Sequence, residues 1–112
     1  MNSYIKQVIS KTKKIHIQLK KMYPDLPKIK IEFKNLNGKS GGYLETARIR
    51  GTKLNIPQRI IIDNSGMFCF DPDYVLCHEF AHLILCVHEN SLRHTKKHAH
   101  LTYKLAKKFN LV

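Results

Sequence analysis

The sequence predicts an α+β domain: an N-terminal helix, a small three-stranded, mainly antiparallel sheet, a buried central helix and a C-terminal helix. Three observations carry that expectation. Residues 4–22 repeat apolar side chains with a helical period; residues 28–63 hold short β-branched runs separated by turn residues; residues 71–87 form a capped, almost wholly apolar stretch. At 112 residues the chain is read as a single domain, 1–112, with room for one modest core.

In the first helix, expected over Tyr4 to Met22, the residues Ile5, Val8, Ile9, Ile15, Leu19 and Met22 fall at steps near the helical repeat, with lysines mainly on the other side. YPDLPK ends it, because each proline disfavours helix in the residue before it. KIKIEFK alternates Ile29, Ile31 and Phe33 with Lys30, Glu32 and Lys34, as a half-buried strand should. NLNGKSGG, residues 35–42, reads as a turn. Tyr43 to Arg50 makes a second strand, and RIIID, Arg59 to Asp63, a third that is apolar enough to be well covered. The second helix opens with Asp71 as N-cap, Pro72 at the first helical position and Asp73 in the positive first turn. From Tyr74 to Val87 nearly every residue is apolar, so other elements should surround this helix. After Glu89, Asn90 and Ser91 the chain turns into a last helix, whose inward stripe reads His94, His98, Leu101, Leu105 and Phe109.

Charge narrows the partners. The formal net charge is +12, and the excess lies wholly at the two ends: residues 1–22 and residues 90–112 each hold six basic residues and no acid. Side by side, the two terminal helices would form a basic surface suited to DNA or another polyanion. The simpler reading is that lysines solubilise a small protein. The N-terminal segment has no apolar block and the longest apolar run is Leu83 to Val87, so neither a signal peptide nor a membrane span is expected. Cysteines at 69, 77 and 86, an odd number with no CxxC pair, read as reduced, mostly buried thiols. Together these features predict an intracellular protein, cytoplasmic or associated with nuclear or nucleoid DNA, with no membrane partner.

The chemistry is concentrated in DPDYVLCHEFAHLILC, residues 71–86, where two histidines and a glutamate interrupt an apolar helix. Residues four apart share a helix face, so His78 and His82 can direct their imidazoles to one point, the arrangement of two zinc ligands. Glu79 is turned about 100° from His78, beside the metal rather than on it, where it can act as a base. Buried unpaired, three such groups would cost several kcal/mol, on the order expected for polar groups out of water, and a bound cation removes most of that penalty. A catalytic zinc (Zn2+) takes three protein ligands and leaves a position open. Glu89, the only acid after the motif, belongs to the same helix, which leaves histidines 88, 94, 98 and 100. His98 continues the inward stripe and is the expected third ligand; His94, one turn earlier on that face, is the alternative. His88 falls at the helix end, and His100 points away with Tyr103, Lys104 and Lys107.

The ordered set of an amphipathic first helix, IKIEF, SGGYLE, RIIID, VLCHEFAHLI and a later histidine resembles the SprT-like zinc metalloprotease domain, over most of the chain. The resemblance implies a zincin-like fold and a third histidine followed by glycine, with an aromatic residue four positions on. Here His98 is followed by Ala99, with Thr102 at the fourth place, while His94 has His98 there. It also implies substrates associated with DNA. Many relatives add a zinc ribbon or a DNA-binding tail; the 112 residues include neither, a minimal form in which any DNA contact is expected from the core domain.

The resulting expectation is a zinc endopeptidase acting on a protein or peptide. Zinc on His78, His82 and His98 lowers the pKa of water to about 7, and Glu79 moves the proton to the leaving amine. RIIID at a sheet edge would pair with an extended substrate, giving loose specificity. Tyr103 or His100 would be the oxyanion donor or substrate contact, unless both are ordinary surface residues. Two alternatives stand beside this one: a non-catalytic, zinc-stabilised module that binds nucleic acid or protein, and a zincin that cleaves one specific regulator.

Overall fold

The computed structural model describes residues 3–66 and 70–112. The elements follow in the order α1 (Ser3–Met22), β1 (Lys30–Lys34), β2 (Gly42–Arg48), β3 (Asn55–Asp63), α2 (Pro72–Glu89) and α3 (Lys96–Lys108). This is the α+β layout expected from the sequence.

The three strands form one mixed sheet in the order β1-β3-β2, with β3 parallel to β1 and antiparallel to β2. After β1 the chain turns at Asn37 and Gly38, both at positive φ, places β2 two positions away, and folds back to insert β3 between them. RIIID is therefore the central strand, which corrects the expectation that it lies at an edge. Its backbone groups are engaged on both sides, and Ile60, Ile61 and Ile62 are at most 1% exposed. The open edges belong to β1 and β2.

β3 begins four residues earlier than its apolar run. Pro57 sits in that added part, opposite Thr46, where the β2 register shifts, and β1 pairing starts only at Arg59. With a partner on one side only, a strand residue lacking an N–H loses little.

α2 is surrounded, as its composition requires. It packs on β3 and β2 and carries α1 on one side and α3 on another. Its Leu76, Cys77, Phe80, Ala81, Leu83 and Ile84 meet Ile15 and Leu19 of α1, Ile60 and Ile62 of β3, and Leu105 and Ala106 of α3 in one apolar cluster. α1 and α3 do not pack against each other. The basic terminal helices thus do not lie side by side; the apolar α2 needs cover on more than one face and separates them.

Cys77 and Cys86 are free, buried thiols, and Cys69 lies outside the described residues. Burial, with Asp73 and Asp71 nearby, pushes the Cys77 thiol up to about 12. No helix among the described residues is long and apolar enough to cross a membrane.

Candidate metal centre

Both ends of α2 are fixed. The Asp71 carboxylate accepts the Asp73 N–H at 2.8 Å, closing the first turn. At the other end Asn90 takes a left-handed conformation (φ 50°), the usual device that stops a helix. Its side-chain oxygen accepts the Asn55 N–H at 2.9 Å and its amide donates to the Lys53 carbonyl at 2.8 Å, tying the helix end to the β2–β3 turn.

Between these anchors His78 and His82 share a face, with ring centroids 5.0 Å apart. The third member is His94. It immediately precedes Thr95, whose hydroxyl accepts the His98 N–H at 3.2 Å and caps α3. Because His94 lies outside the helix, its ring is free of the helical stripe and reaches back across α2. Its Nε2 stands 3.2 Å from the Nε2 of His78 and 3.2 Å from that of His82. All three donor nitrogens lie within 4.8 Å of one another. Tetrahedral zinc with bonds of about 2.0–2.1 Å separates its ligand atoms by about 3.3 Å, so the spacing fits, and an all-imidazole donor set suits that ion. His78, His82 and His94 are close enough to bind a metal ion. His82 is buried, His78 half-buried and His94 exposed, so the point is open to solvent on one side.

His98 is not part of this triplet, contrary to the expectation from the α3 stripe. It does face α2, being 2% exposed, but its Nε2 lies 3.0 Å from the backbone carbonyl oxygen of His78. A carbonyl only accepts, so that nitrogen carries the hydrogen and has no lone pair for a metal. The His98 ring stacks on His82 with centroids 3.8 Å apart, and so holds the orientation of that ring. Glu89 is engaged with Lys97, and Nδ1 of His82 is buried without a hydrogen-bond partner among the described residues.

Burial sets the protonation of the site. It pushes His82 down to about 3, helped by His98, His78 and His94, and His78 down to about 4, helped by His98 and His94. His98 is lowered too, chiefly by burial. Neutral imidazoles keep their lone pairs, the form that ligates metals. Burial pushes the Glu79 carboxyl up to about 7, against the backbone N–H of Leu44, which donates to it. Near neutral pH such a group can both take and release a proton. Glu79 Oε2 is 3.8 Å from His78 Nε2; with the imidazole neutral this contact is not an ion pair.

Beside Glu79 and His78 opens a cavity of about 350 Å³ whose other lining residues are Gly41, Gly42, Phe70, Tyr74 and Val75. The glycine pair of SGG was its only trace in the sequence. The Leu44 N–H had no sequence signal, since it depends on β2 being an edge strand. For His94 a usable signal existed: Thr95 is of an N-cap type, and a helix capped there starts past His94. His100 and Tyr103, the expected oxyanion or substrate contacts, line a different surface hollow with Lys104, Lys107 and Lys108. Tyr103 is 52% exposed, and neither residue borders the cavity at Glu79.

Compared with known proteins, the chain matches no family model, no curated protein and no solved structure.

Proposed function

We propose that this protein is a zinc-dependent endopeptidase of the SprT-like kind, with His78, His82 and His94 as metal ligands and Glu79 as general base. The observation that carries the reading is the convergence of three imidazoles beside one buried carboxyl, with a cavity opening against His78 and Glu79. When bound, zinc supplies Lewis acidity toward a peptide carbonyl and acidifies a water. Glu79 takes a proton as the water oxygen adds to the carbonyl carbon, then delivers it to the amide nitrogen as the C–N bond breaks. A carboxyl raised to about 7 is matched to both transfers. The Leu44 N–H holds the carboxyl beside the open edge of β2, which supports an extended substrate pairing there rather than with β3. Exposed lysines on α1 and α3 extend the proposal to DNA-associated protein substrates.

The test is Glu79→Gln in zinc-loaded protein, assayed on an unfolded protein substrate. Peptide cleavage should fall by at least about a hundredfold, the usual weight of a general base, while zinc content stays the same. Equal behaviour of the two proteins in cleavage would instead make the zinc purely structural.

A further inference from the structure

The cavity beside Glu79 is built for more than water. Its volume of about 350 Å³ falls at the small end of the range for ligand pockets, about 300–1,000 Å³. One part of its wall is His78 and Glu79, the groups assigned to bond cleavage; the rest is aromatic, aliphatic or bare backbone. Phe70 is 64% exposed there, an apolar surface that gains from being covered.

The two glycines leave the space open for different reasons. A Cβ on Gly42 would stand 2.3 Å from the Ile61 carbonyl oxygen, so Gly42 is required for the strand to pack. A Cβ on Gly41 would stand 2.9 Å from Val75 Cγ2, 3.6 Å from Val75 Cγ1 and 3.9 Å from Phe70 Cδ2. All three of those atoms belong to residues that line the cavity. Gly41 therefore keeps volume free that a methyl group would take, and Val75 sets the opposite limit.

We infer that this cavity selects substrate, accepting an aromatic or large aliphatic side chain on the residue next to the scissile bond. The inference rests on the peptidase reading above. A peptide held along β2 with its carbonyl near the three imidazoles has a neighbouring side chain within reach of Gly41 and Val75. Among the described residues no charged group other than Glu79 lines the space, so a charged side chain would lose its hydration without gaining a partner. Cleavage is thereby selective, in contrast to the loose specificity that backbone pairing alone would give.

The experiment is a digest of a mixed unfolded-protein substrate by the zinc-loaded chain, with cut sites read by mass spectrometry. It is run for wild type, Gly41→Ala, Val75→Ala and the double variant, after checking fold and zinc content of each. Wild type should concentrate its cuts beside Phe, Tyr, Leu or Met at one flanking position. Gly41→Ala should lower the preference for those residues over alanine by roughly tenfold or more, the weight of a methyl-sized change in a hydrophobic pocket. Val75→Ala should shift the preference toward the largest side chains, and the double variant should return toward wild type. Should Gly41→Ala not fold, Val75→Ala alone carries the test. Cuts without side-chain preference, or a preference that neither substitution moves, overturn the inference and leave the peptidase standing. A zinc-loaded wild type that cuts nothing overturns both.

Discussion

His98 donates its Nε2 hydrogen to the carbonyl of His78, and His94 directs its own Nε2 at the two helix imidazoles. Their alanine variants should therefore differ in kind. His94→Ala removes one of the three proposed ligands and should cost more than the roughly 10–100-fold in zinc affinity expected of an outer contact, while His98→Ala should fall within that range. Competition with a chromogenic chelator measures both; equal losses, or the larger loss at His98, would assign the third ligand the other way. A second histidine reports on stability. His16 is 5% exposed, its Nε2 has no hydrogen-bond partner among the described residues, and burial followed by Lys20 pushes it down to about 4. Unfolded, it takes up its proton near 6.5, so between about 4 and 6.5 the unfolded chain binds more protons and stability rises with pH. The full stabilisation is present above the unfolded value and is lost on acidification through that window, on the order of 3 kcal/mol. Urea melts of wild type and His16→Leu at a series of pH values should differ by a margin that changes across this window; parallel pH profiles would exclude the linkage.

At the scale of elements, α1 is attached to α2 by a buried contact that the amphipathic pattern does not announce. Thr12 donates its hydroxyl to Asp73 Oδ1 at 2.6 Å, and Lys11 Nζ lies 3.0 Å from Asp73 Oδ2. Asp73 is 2% exposed, so depriving it of a donor strands an oxygen away from water. Thr12→Val should cost about 1–3 kcal/mol in denaturation, and Lys11→Ala less, because the lysine head is in solvent. Gly42→Ala should cost more than about 2 kcal/mol, since its new Cβ meets backbone rather than a movable side chain; a neutral effect would mean that β2 can shift. These elements also show how far the chain could be read before folding. Ile15 and Leu19, the alternation in KIKIEFK and the capped apolar helix were legible, because each expresses a local period or cap. So were His78, Glu79 and His82, which sit on one continuous helix. The place of β3 was not, because strand order depends on which neighbour inserts, and nothing local to Ile60 records that. His94 was misplaced for a related reason: extending the α3 stripe backward ignored that Thr95 ends the helix, and a residue before an N-cap is free to point elsewhere.

For the whole molecule, the question is what two basic helices on different flanks of α2 can hold. Lys6, Lys11, Lys13, Lys14 and Lys21 of α1 are exposed, as are Lys96, Lys97, Lys104, Lys107 and Lys108 of α3. Since the helices do not touch, the chain presents two strips and not one broad plate, and a single duplex would lie on one of them. α3 is the better candidate. Its hollow of about 400 Å³ sets the Tyr103 ring among His100, Lys104, Lys107 and Lys108, with Lys107 Nζ 5.9 Å from the ring centroid. Aromatic faces between cations are how single strands are held without sequence preference. Each phosphate of a single strand that is neutralised contributes about 0.7 to the slope of log affinity against log salt. Lys104→Ala with Lys107→Ala should therefore flatten that slope by about 1.4, and Lys13→Ala with Lys14→Ala should leave it unchanged. Fluorescence anisotropy with a labelled oligonucleotide over a salt series measures it. Equal flattening by both pairs would mean that the nucleic acid spans the two flanks, and no binding even at low salt would leave the lysines to solubility alone and confine the proposed substrates to free proteins.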